Sequence, residues 1–196
     1  KVKGIIELGV NLALDCAKSP LDKLIILGTP TTITGNSHKN LLIEKGFNPE
    51  NIITKACKNL ESEIQINSYS DKVKSLIEKY IREAVPDPMP DIKYFVLLGC
   101  THYEYSNKVF RDVLSSYFKN YEILNPNSVM VEEAIKSLKG ADLGRMVSGK
   151  IISRTAINIQ DLKNISDILK KKSRDFGMLL LDYEYNPDSF SVSELQ

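Results

Sequence analysis

"FVLLGCTHYEYS" occupies residues 95–106. Phe95 to Leu98 are apolar and run straight into Gly99, Cys100, Thr101 and His102, and a helical pattern begins beyond Ser106. A short continuous apolar run closed by a glycine reads as a strand buried on both faces, the kind found in parallel sheets. A thiol and an imidazole two positions apart therefore sit at a strand's carboxyl end. Open α/β sheets bind their ligands there.

The same pattern recurs on both sides of this stretch. "VKGIIE" (2–7), "KLIILG" (23–28), "NIITKA" (51–56) and "YEILN" (121–125) read as further strands beside "KYFVLLG" (93–99). Between them lie amphipathic helix signals: Val10, Ala13, Leu14 and Ala17; Val73, Leu76, Ile77, Tyr80 and Ile81; Val109, Phe110, Val113, Leu114 and Tyr117. Alternating strands and helices imply right-handed crossovers and an open, mostly parallel α/β sheet with helices on both faces. "VPDPMPD" (85–91), with three prolines, can only be a loop. Beyond Asn125 the character changes. Residues 127–139 and 157–172 read as helices, "RMVSGKIIS" (145–153) and "GMLLLDYEY" (177–185) as strands, and "GADLG" (140–144) as a break. The expected division is an α/β lobe over 1–127 and a tail over 128–196, which holds too little material for an α/β domain of its own.

Composition bounds the function. The chain has 196 residues, 42% hydrophobic and 26% charged, with a net charge of +1. These values suit a globular protein with a sizeable core, and nothing in them points to nucleic acid or a membrane surface. No apolar run approaches the roughly 18 residues that span a bilayer. Three cysteines, Cys16, Cys57 and Cys100, are an odd number without C-x-x-C spacing, which argues against a disulfide framework or a zinc site and fits a reducing cytoplasm. With only His38 and His102, a histidine-rich metal site is not expected. The sequence opens without an initiator methionine, which suggests a fragment that begins inside a longer protein.

A free cysteine is most often a small buried hydrophobe, and Cys16 and Cys57 fit that reading. Cys100 differs by its place. Lowering a thiol pKa by about two units takes roughly 2.7 kcal/mol of preference for the anion. A helix N-terminus and a neighbouring imidazolium supply energies of that order. The expectation is a Cys100 thiol with a depressed pKa, able to act as base or nucleophile. "GTPTT" (28–32) follows the second strand-like run. Thr29 and Thr32 there either bond their own backbone or face a ligand. His38 reads as a solvent-facing helix residue, and Lys170–Lys172 as a solvated helix end.

"LLGCTHY" (97–103) closely resembles a catalytic motif of glutamate racemases, in the cofactor-independent aspartate/glutamate racemase superfamily. "GIIELG" (4–9), "IILGTPTTI" (25–33), "KAC" (55–57) and "ILNPNSVMVEEAI" (123–135) resemble other segments of that family's second lobe, in the same order. The resemblance implies two facing α/β lobes, each with a cysteine at a strand end. One thiolate removes the substrate's α-proton and the opposite thiol returns one on the other face, without pyridoxal phosphate or metal. It implies Cys100 as one of the two bases and His102 as the group that orients or polarises it. Thr29, Thr32 and Thr101 would lie against the substrate, glutamate, and the product D-glutamate would supply peptidoglycan synthesis. It also implies that a first lobe with its own cysteine is absent here, and that the tail packs back on that lobe. Val131, Ala134, Ile135 and Leu138 would then form an apolar stripe without its partner, which invites self-association such as a homodimer. The chain departs from the family at Lys58, at Gln65 near Glu61 and Glu63, at Glu104 and at Leu8. These departures bear on substrate choice. Two other readings remain open: a lobe that binds an amino acid or anion without turnover, and a Cys100/His102 acyl-transfer enzyme. The latter needs an acid to orient His102, and none stands at a recognisable spacing.

Overall fold

Four of the first five strand-like runs pair into one sheet. The computed structural model describes residues 4–137, 150–171 and 173–188. Strands β1 (Lys23–Gly28), β2 (Ile52–Ala56), β3 (Tyr94–Leu98) and β4 (Tyr121–Leu124) lie in the order β2-β1-β3-β4. All three pairings are parallel, with Ile25 beside both Ile53 and Val96. Side chains alternate across the pleat. Ile25, Leu27, Val96 and Leu98 enter one core, and Leu24, Ile26, Phe95 and Leu97 enter the other.

Helices cover both faces. On the first, α4 (Leu60–Ile66), α5 (Asp71–Ala84) and α6 (Asn107–Tyr117) bring Leu60, Ile64, Ile77, Ile81, Phe110 and Leu114 against the strands. On the second, α1 (Ile5–Cys16) and α3 (Ser37–Glu44) bring Val10, Ala13 and Leu42. A short helix, α2 (Pro30–Gly35), precedes α3. Burial on both faces explains why the strand sequences are apolar without alternation. Each such side chain contributes about 1.5–3 kcal/mol by leaving water.

The first strand-like run is a correction. Residues 5–7 open helix α1 rather than a strand; Val2 and Lys3 lie outside the described residues. The apolar run is only Ile5 and Ile6, and it continues in helical phase to the buried Leu8. Gly4, at the N-cap, makes no side-chain cap, so the usual start signal is missing. Gly9 lets α1 approach α7 (Pro126–Ser137): a Cβ there would stand 2.9 Å from Pro126 Cγ.

The chain divides into two units, Lys1–Gly140 and Ala141–Gln196. Helix α7 belongs to the first of these units. In the second unit β5 (Ile152–Ser153) pairs in parallel with β6 (Glu184–Tyr185), and α8 (Ile159–Lys170) packs on α9 (Arg174–Leu181). Most of the expected last strand, 177–185, is therefore helix. Ser173 caps α9 by accepting from the Phe176 amide. Gly177 lets the pair close, with Ser166 Oγ donating to its carbonyl at 2.7 Å. A short apolar run such as "GMLLL" fits either structure until packing chooses. "GADLG", residues 145–149 of the expected strand, Leu138 and Lys172 lie outside the described residues. Among the described residues, no helix is long and apolar enough to cross a membrane.

Candidate active site

The strand order creates the site. From β1 the chain crosses to β2 on one side, then returns to place β3 on the other. The segments leaving β1 and β3 diverge, and a crevice opens where they part. A cleft of about 240 Å³ lies there, lined by Thr32, Ser37 and His38 from the β1 side and by Gly99, Cys100 and Thr101 from the β3 side. Ile5, Ile6, Leu98 and Pro126 supply apolar wall. None of the described lining residues is Lys, Arg, Asp or Glu.

Cys100 is half-buried at the end of β3, with Sγ 3.8 Å from His102 Nδ1. Its pKa runs opposite to the expectation: burial pushes the thiol up, the Glu61 charge adds to this, and the His102 and Tyr103 backbone amides pull it down without prevailing. The segment after β3 is a 3₁₀ turn, Thr101–Ser106, before α6 begins, so few amides reach the sulfur. Cys57 is fully buried, and desolvation pushes its pKa up to about 12. Cys16 is half-buried against the second core.

The expected site residues divide. Thr32 and Thr101 line the cleft with Cys100. Thr29 and His102 are one step removed from its wall. Thr29 caps α2, its Oγ1 accepting from the Thr32 amide at 3.3 Å and lying 3.0 Å from Thr32 Oγ1. His38 is a correction. It is 6% exposed, and it is one of the residues lining the cleft. Asn36, at φ 53, turns the chain sharply between α2 and α3 and directs the first turn of α3 inward. Leu42, one helical turn later, is fully buried on the same side. That i, i+4 pairing was the legible signal.

A hydrogen-bond network that sequence reasoning missed fixes the turn carrying Cys100. Glu104 Oε2 accepts from Asn107 Nδ2 at 3.0 Å and from Asn125 Nδ2. Asn127 Nδ2 donates to the Thr101 carbonyl at 3.0 Å, and Ser106 Oγ donates to the Ser68 carbonyl at 2.8 Å. Tyr103, fully buried, plugs the turn from below.

The parallel four-stranded sheet with helices on both faces is a fold found in solved structures. Solved glutamate racemases share it. The enzyme from Francisella tularensis, in complex with D-glutamate, matches with a TM-score of 0.62 and 18% identity, over 93% of this chain and 60% of that one. The RacE1 isoform from Bacillus anthracis matches with a TM-score of 0.62 and 18% identity, over 93% and 62%. The enzyme from Campylobacter jejuni matches with a TM-score of 0.60 and 20% identity, over 90% and 63%. The likeness is one of fold, and this chain spans 60–63% of the length of those enzymes. No protein-family model and no curated protein matches the sequence.

Proposed function

We propose that this chain is the second lobe and tail of a cofactor-independent glutamate racemase, with Cys100 as one of its two thiol bases. The observation that carries the reading is Cys100 itself, a thiol opening onto the switch-point cleft in a fold shared with glutamate racemases. Substrate glutamate lies with its α-hydrogen toward Sγ. The Cα–H bond breaks as the S–H bond forms, and the electron pair delocalises into the carboxylate. Thr32 and Thr101 meet that charge with hydroxyl or amide donors. A thiol of the first lobe then delivers a proton to the opposite face. His102, 3.8 Å from Sγ, orients the sulfur and exchanges a proton with it. The raised pKa makes the thiolate scarce at neutral pH but strongly basic once formed. Closure by the first lobe supplies the groups that ionise it. D-glutamate made in the cytoplasm would serve peptidoglycan.

The test is circular dichroism of L-glutamate, together with solvent deuterium at Cα. The two-lobed protein inverts glutamate and incorporates deuterium, and Cys100→Ser abolishes both. The single chain does not invert at an appreciable rate, because Cys100 serves one face only. A two-lobed protein that binds glutamate without exchanging the α-hydrogen would be a binding lobe instead. An acyl adduct trapped on Cys100 would establish acyl transfer.

A further inference from the structure

We infer that His38 contacts the substrate, donating a hydrogen bond from its imidazole to a carboxylate oxygen of the amino acid in the cleft. The inference rests on the racemase reading above and adds a residue to that site. Three observations converge on it. First, His38 is more than nine-tenths buried, at 6% exposure, yet it is one of the residues that line the cleft holding Cys100. Second, the ring has no hydrogen-bond partner among the described residues. Neither ring nitrogen is among the fully buried unpartnered atoms, so the imidazole keeps contact with open space and is free to meet a ligand. Third, the described lining offers no cationic side chain to a carboxylate. The Thr32 and Thr29 hydroxyls lie 3.0 Å apart and share one hydrogen bond, in which either can donate. An anion entering the cleft must be met by neutral donors, and the imidazole N–H is one of them, beside the hydroxyls of Thr31, Ser37 and Thr101.

The helix geometry agrees. His38 lies in the first turn of α3, whose N-cap Asn36 makes no side-chain cap. The first-turn amides add a field that favours a carboxylate there. Burial also lowers the His38 pKa, so the ring is neutral at physiological pH and carries one N–H and one lone pair.

The chain has only two histidines, so its imidazole NMR signals form two sets that single substitutions assign. L-glutamate is titrated into the wild-type chain while His38 ring shifts and the protection of Cys100 from iodoacetamide are followed. The expected result is that both change with one midpoint. His38→Leu fills the same space without a donor and should raise that midpoint about tenfold, ~1.4 kcal/mol, with unchanged thermal unfolding. His38→Gln retains an N–H donor and should stay near wild type. Protection of His38→Leu at the wild-type midpoint would overturn the His38 contact and leave the racemase reading standing. Wild-type protein that glutamate neither protects nor shifts would overturn the His38 contact in this chain, and the racemase reading would then stand or fall on the two-lobed test above. Should His38→Leu fail to fold, the wild-type ring decides: Cys100 protected while the His38 signals stay fixed overturns the contact.

Discussion

Gly99→Ala tests the architecture that holds Cys100 in place. Gly99 follows β3, and its amide donates to the Leu27 carbonyl at 2.7 Å. A Cβ at Gly99 would lie 2.8 Å from that same oxygen, short of the ordinary contact range that begins at 3.4 Å. The difference, about 0.6 Å, must come from the backbone. Leu27 cannot yield cheaply, because it pairs with Leu98 on one side and Lys55 on the other. Overpacking of this kind costs about 1–3 kcal/mol. Stretching the hydrogen bond adds about 0.5–1.5 kcal/mol, and the reduced freedom of the unfolded chain returns about 0.4–1 kcal/mol. The net expectation is a loss centred on about 2 kcal/mol, which is about 4–8 °C in Tm for a chain of this size. Thermal and urea unfolding measure it, and the rate of Cys100 alkylation reports whether the thiol has moved. A Gly99→Ala protein within about 0.5 kcal/mol of wild type, the ordinary scatter of a neutral surface change, and with an unchanged Cys100 rate, would refute the reasoning.

Native alkylation followed by mass mapping should modify Cys100 first, because Cys57 is fully buried with its pKa near 12 and Cys100 opens onto the cleft. Faster labelling of Cys16 or Cys57 would contradict this. The reaction at Cys100 should also lag a free thiol at neutral pH, since its pKa is raised. Cys57 makes stability fall in alkali. The folded state keeps the thiol proton up to about 12 while the unfolded state releases it near 9.0, so stability drops between those values by up to about 1.4 kcal/mol per pH unit. Cys57→Ala should flatten that slope in urea titrations, and an unchanged slope would count against the assignment. Glu104→Ala should speed amide exchange across residues 101–106 and cost about 1–2 kcal/mol, whereas Glu104→Gln, which keeps an acceptor for Asn107 and Asn125, should retain most of the protection.

The sequence by itself determined the sheet. The apolar runs at 23–28, 51–56, 93–99 and 121–125 are continuous because both faces are covered. That continuity is local information, readable without any partner in view. The place of Cys100 followed from the same logic, since a glycine and a polar cluster after a buried strand mark its carboxyl end. What only the tertiary structure decided depends on neighbours distant in sequence. Ile5 and Ile6 suit strand and helix alike until α1 packs on β3, β4 and α7. "GMLLL" became helical when Gly177 met Ser166. His38 looked like a surface residue until the left-handed Asn36 turned α3 inward. The Cys100 pKa was misjudged because a nearby imidazole and helix start are visible in sequence, whereas the burial that outweighs them is created only when β3, Tyr103 and the neighbouring helices close around the sulfur. Desolvation is set by everything that excludes water from a group, and no short motif encodes that.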